Sequence, residues 1–182
     1  MTTSSRPGAS TLWILLLTGA STATTFLFGC ATPFAALAAL AATHMNRRDG
    51  LMLMGLTWLT SQIVGFACLG YPHSATTFGW SVALAMGALA AGAASGTLLD
   101  RSRTTGALAR LALAYGSAFL AFKLPVVLWS FVLGGHETLL DPGLLARQFT
   151  RDGALLLGLL ALYHALVALG LPGARPQRLA AA

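Results

Sequence analysis

Hydrophobic positions in this chain fall in long unbroken blocks separated by short polar breaks. They show neither the strict alternation of a half-buried strand nor the narrow stripe of a surface helix. The longest block runs from Thr104 to Gly135, TTGALARLALAYGSAFLAFKLPVVLWSFVLGG. It is apolar for about 30 residues, and at roughly 1.5 Å of helical rise per residue it is ample for a hydrocarbon layer about 30 Å thick. The pattern predicts a membrane span over 108–134, with further spans over 11–28, 50–69, 76–99 and 153–171 and a shorter one over 32–45. The expected fold is an all-α integral membrane protein, a single bundle of about six transmembrane helices covering residues 1–182.

The breaks carry turn chemistry. Gly29-Cys30-Ala31 predicts a tight turn, after which Thr32 as N-cap and Pro33 at the first position open the second helix. That helix of about 13 residues covers only about 20 Å. It either reaches the headgroups through Asn46-Arg47-Arg48 or is re-entrant; one long Pro-kinked helix through both pieces is the alternative. A signal peptide, or a lipidated Cys30 after Leu27-Phe28-Gly29, are further readings, but the apolar pattern resumes at once at Phe34. Gly70 to Ser74 marks another turn, and Gly134-Gly135 opens a loop in which Pro142 to Phe149 is expected as a short amphipathic helix in the interface. Pro172-Gly173 ends the last span.

Composition agrees with a membrane chain. Of 182 residues 56% are hydrophobic and 9% charged, against about 25% charged in a soluble domain. The abundance of Ala, Leu and Gly, with ten Arg to a single Lys, suggests a bacterial genome rich in G and C. The net charge of +6 comes from short Arg clusters beside apolar runs, so it reads as topology and not as a nucleic-acid surface. Six crossings with both termini cytoplasmic put Arg6, Arg47, Arg48, Arg101, Arg103, Arg110, Arg175 and Arg178 inside. Arg147 and Arg151 fall outside, offset by Glu137, Asp141 and Asp152. The expected location is the bacterial inner membrane; five crossings, with only the N-terminus moved outside, is the nearest rival.

Lipid tails are as apolar as Leu, so helices in a bilayer associate through close packing of small residues. Ala88, Gly92 and Gly96 form such a stripe on the fourth span, and Ala35, Ala38, Ala39 and Ala42 another on the second. Either stripe serves packing within the chain or docking of another membrane protein.

Depth counted along each span puts Gln62, Lys123 and His164 within about 5 Å of the midplane, with Tyr115 and Tyr163 near the same set. An ammonium at that depth costs roughly 3 kcal/mol or more, so Lys123 is expected to face protein or water. Asp49, Asp100 and Asp152 all count to span edges, which leaves Lys123 to bond Gln62, carbonyls freed by Pro125, or an anionic ligand. On the outer side Cys30, Cys68, Tyr71, His73, His136 and Glu137 lie in or beside loops. They could contact a soft or borderline metal, hold a Cys30 to Cys68 disulfide, or be ordinary thiols and imidazoles, since no CxxC or HExxH spacing is present. No phosphate loop, no GxSxG elbow and no paired carboxylates at membrane depth occur, so neither an enzyme nor a resident cofactor is expected. The lack of a carboxylate at membrane depth argues against a self-powered pump.

This plan of about six short spans, cytoplasmic ends, Ala-rich helices and outward polar groups resembles the substrate-binding membrane component of energy-coupling-factor vitamin and metal transporters. The resemblance implies a protein that captures a small solute from outside, while a separate transmembrane coupling protein and ATPases supply energy. Some solitary members resemble cobalamin carriers in which a Cys sulfur meets cobalt, a role that would fall to Cys68. The expected function is therefore uptake of a vitamin-like or metal-linked solute, with Lys123, Gln62 and His164 at the base of a cavity. A non-catalytic subunit docking a larger complex through its small-residue faces is the alternative, and a membrane-embedded enzyme stands third.

Overall fold

A computed structural model describes residues 7–28, 32–103 and 106–174. The described chain is helical throughout, with no strand, and its helices are α1 Pro7–Phe28, α2 Phe34–His44, α3 Arg47–Ala67, α4 Ala75–Arg101, α5 Ala107–Leu133, α6 His136–Leu139 and α7 Pro142–Ala168. Four of them, α3, α4, α5 and α7, are long and apolar enough to cross a membrane. The apolar part of α1, Ala9–Thr24, and the whole of α2 are shorter. Cys30, Arg6, Arg175 and Arg178 lie outside the described residues.

Each long helix divides into an apolar outer face and a small-residue inner face. On α5, Leu120, Leu124 and Leu128 are 71%, 63% and 59% exposed, while Ala114, Ala118, Val126 and Ser130 are buried. Exposed Leu at four-residue spacing is what a helix facing lipid requires, because the bilayer supplies the apolar surroundings that a soluble core would.

The short helix α2 occupies the centre. Phe34 through Ala41 are all buried, and α3, α4, α5 and α7 pack around them. Its Ala-rich surface explains that position, since only small side chains let four neighbours approach one helix closely. Ser95 on α4 is wholly buried, and its Oγ donates to the Ala91 carbonyl at 2.8 Å and reaches the Ala38 carbonyl of α2 at 3.4 Å. With 11 residues α2 rises about 16 Å. It need not span lipid, because protein surrounds it. The helix begins one residue later than predicted, with Pro33 in the cap position and no side-chain cap bond.

The stripe on α4 packs within the chain. Ala88 is fully buried, and a Cβ on Gly92 would lie 3.0 Å from Met54 of α3. Gly96 has open space around it. A close backbone approach lies at Gly87, where a Cβ would meet both the ring and the carbonyl oxygen of Phe122 at 2.9 Å. Trp58 Nε1 donates to the Ser81 carbonyl at 2.9 Å, tying α3 to α4.

The largest departure from the sequence pattern is α7. A separate interfacial helix over Pro142 to Phe149 does not form; one helix of 27 residues runs from Pro142 to Ala168. Asp141 caps it, accepting from Leu144 N at 2.7 Å, and Pro142 takes the first position, where a missing N–H costs nothing. Asp152, Leu156, Leu159 and Tyr163 follow as its buried face.

Helix ends gather at two poles. At one, Trp13 Nε1 donates to the Pro172 carbonyl at 2.8 Å, and Asn46, Arg47 and Asp100 lie together. At the other, Thr32, Tyr71, Gly135, Thr138 and Leu139 surround a cavity.

Candidate functional site

The cavity has a volume of about 480 Å³, within the usual range for small-molecule sites. Its position follows from the length of α2. Because that helix is short, its N-terminal end, with Thr32 and Phe34, starts inside the bundle, and the space beyond it is walled by α3, α4, α5 and α7.

The α5 and α7 walls carry the charge. Lys123 lies ten residues before the end of α5 and Asp152 ten residues after the start of α7, so each sits about 15 Å from those helix ends. The Lys123 ammonium donates to Oε1 of Gln148 and stands 5.7 Å from the centre of the Phe119 ring. Arg151 pairs with Asp152, its Nη2 3.0 Å and its Nε 3.2 Å from the same Oδ1. Asp152 is 7% exposed. Among the described residues this is the one ion pair within contact distance. Lys123, Gln148, Arg151 and Asp152 all line the cavity.

The other walls are aromatic and amide-bearing. Trp80 and Leu84 come from α4, Phe122 and Val126 from α5, and Ser61 and Gln62 from α3. Gln62 donates to Ser61 Oγ at 3.2 Å, and the Lys123 ammonium donates to Gln148 in its place. Tyr71 closes over the end of α3, its ring laid on Gly65 so tightly that any side chain there would displace it.

No family model, curated protein or solved structure matches this chain.

Of the residues proposed from sequence, Lys123 and Gln62 meet in the cavity and Tyr71 joins them from the loop. His164 and Tyr163 do not. A span starting at residue 153 puts His164 near the midplane, but α7 begins at Pro142, which carries His164 to four residues from the far end of the helix. It is exposed there, with its ring 6.0 Å from His44, and Tyr163 is buried between Trp13 and His44 at 4.5 Å from each. Tyr115 stands behind the charged wall. Its hydroxyl donates to the Phe149 carbonyl and faces Gly153, the neighbour of Asp152. Asp152, counted to a span edge from sequence, lies ten residues into α7 and lines the same cavity as Lys123.

At the rim, Phe66 collects Tyr71, His73 and Phe78 at centroid distances of 5.8, 5.4 and 5.2 Å. His136 stacks on Phe131 at 5.0 Å, and Glu137 is exposed beside it. Cys68, the C-cap of α3, is exposed and free. None of His73, His136, Glu137 and Cys68 lines the cavity, and among the described residues no three His, Cys, Asp or Glu side chains converge as metal ligands.

Gln148, Arg151 and Trp80 were not singled out as site residues from sequence. A signal for the first two was present: Asp141-Pro142 is a helix start, and extending the helix from there puts Gln148 and Arg151 or Asp152 three and four residues apart on one face. Nothing in the sequence marked Trp80.

Proposed function

We propose that this protein is a solute-uptake component of a bacterial inner membrane, binding a small molecule from the outer face in the cavity around Lys123. The carrying observation is a cavity of about 480 Å³ with charged and amide side chains set among apolar walls, inside a bundle whose outer surface is apolar. Charged and amide groups at that depth are costly unless they serve a ligand or each other, and here they border open space.

Orientation follows from charge. Arg47, Arg48, Arg101, Arg103 and Arg110 belong to the pole opposite the cavity, and the positive-inside rule turns that pole to the cytoplasm. The cavity then opens outward, as capture from the periplasm needs. A transmembrane coupling protein with ATPases remains the partner that the transporter resemblance suggests. A corrinoid is much larger than this cavity, and Cys68 is not among its lining residues. The site favours a compact organic solute over cobalamin.

The test is thermal unfolding of the purified chain in detergent, against a library of water-soluble vitamins, their precursors, amino acids and divalent metals. A ligand at about 100 times its Kd adds about 2.7 kcal/mol, read as a rise of several degrees in Tm. At least one organic solute should give such a rise, and Trp80→Ala should abolish it. No stabilisation by any member, with a stoichiometric protein partner co-purifying in mild detergent, would replace uptake with the assembly role.

A further inference from the structure

The charges lining the cavity define the class of solute it takes, granted the uptake reading above. Lys123 and Arg151 bring two cations, and Asp152 brings one carboxylate. The ion pair of Arg151 with Asp152 cancels one cation, so the empty site keeps a single net positive charge. An isolated charge of that kind inside an apolar bundle is costly, and a ligand of opposite sign relieves the cost. The donors are available: an ammonium has three N–H groups and Lys123 spends one on Gln148, and a guanidinium has five and Arg151 spends two on Asp152. A further observation has the same sign. The N-terminal, dipole-positive end of α2 faces this space through Thr32 and Phe34.

We infer that the cavity selects organic monoanions, a single carboxylate held by Lys123 and the free edge of Arg151 on the α5 and α7 side, with an apolar or aromatic body against Trp80 and Leu84. Asp152 sets the charge count. It neutralises one cation in advance, so a second acidic group on the solute would stand uncompensated beside a buried carboxylate. An amine is excluded for the converse reason, because both cations face it and the one carboxylate is already engaged by Arg151.

The test uses the full chain in detergent at pH 7 and three matched series: ω-phenylalkanoates, their primary amides, and the benzyl- and phenethylmalonates. Binding is followed by thermal shift and by equilibrium titration. Each acid should bind at least tenfold more tightly than its own amide and than the matching malonate. Lys123→Met should bring the acid down to the level of the amide. Asp152→Asn, which leaves a second net positive charge, should narrow or invert the preference for acid over malonate, and its elution from size exclusion reports whether the bundle is intact. Amides or malonates binding the parent protein as tightly as the acids overturn the monoanion rule and leave solute uptake standing. Saturable binding by none of the three series overturns the monoanion rule, and the uptake reading falls with it only if the vitamin, amino-acid and metal library also gives no stabilisation.

Discussion

Tyr115 shows how a residue outside the cavity shapes it. Its hydroxyl holds the Phe149 carbonyl, and its ring packs against Phe119 and Phe149 at 6.4 and 4.9 Å. That contact fixes the turn of α7 from which Gln148, Arg151 and Asp152 project. Tyr115→Phe removes one buried hydrogen bond, worth about 1 kcal/mol, while the Phe149 carbonyl keeps its partner within α7. The expected outcome is a drop of a few degrees in Tm together with weaker solute binding, measured by thermal unfolding and titration of the same preparation. Unchanged affinity at a lowered Tm would make Tyr115 purely a stabilising residue. Lys123 was legible from sequence because an ammonium in an apolar block violates composition so sharply that it announces a site. Asp152 was not, since a carboxylate next to Arg in a run such as QFTRDG reads equally well as solvated loop.

At the scale of the helix, packing is decided by which glycines face a backbone. The four-residue stripe of Ala88, Gly92 and Gly96 was visible in the sequence, yet the three positions differ: Ala88 is buried, Gly92 meets the flexible Met54 and Gly96 meets nothing. Gly87, outside the stripe, is pressed against the Phe122 backbone. Gly87→Ala should therefore destabilise by about 1–3 kcal/mol, as overpacking does, and Gly96→Ala should change stability by less than about 0.5 kcal/mol. Melting both variants in detergent decides it, and equal effects would mean that α4 and α5 pack differently. Small-residue spacing identifies a close-packing helix, but not which of its glycines carries the contact, because that depends on the rotation of the partner.

For the whole molecule, the two poles differ in charge and in openness, and they predict a topology. In a Cys30→Ser background, Cys68 should react with a membrane-impermeant maleimide added to intact cells, and a cysteine replacing Arg103 should react only after lysis. The reverse labelling would turn the cavity to the cytoplasm and remove the uptake reading. The central place of α2 belongs to this scale too. As a span it was too short; surrounded by four other helices it has the right length, because its shortness is what leaves room for the cavity.

The sequence by itself determined the solvent and the material: long apolar blocks require lipid around helices, Arg clusters mark the ends of those helices, and Ala and Gly permit their close approach. These are properties of local composition, and each can be read within a few turns. Only the tertiary structure decided which polar groups share a space. Lys123 and Asp152 are separated by two helix ends and the short helix α6, and their sharing of one cavity depends on where α7 begins and how it is rotated. His164, counted to the same depth from a wrong starting point, lies at the opposite pole, because an error of a few turns in a helix boundary carries a side chain across half a membrane.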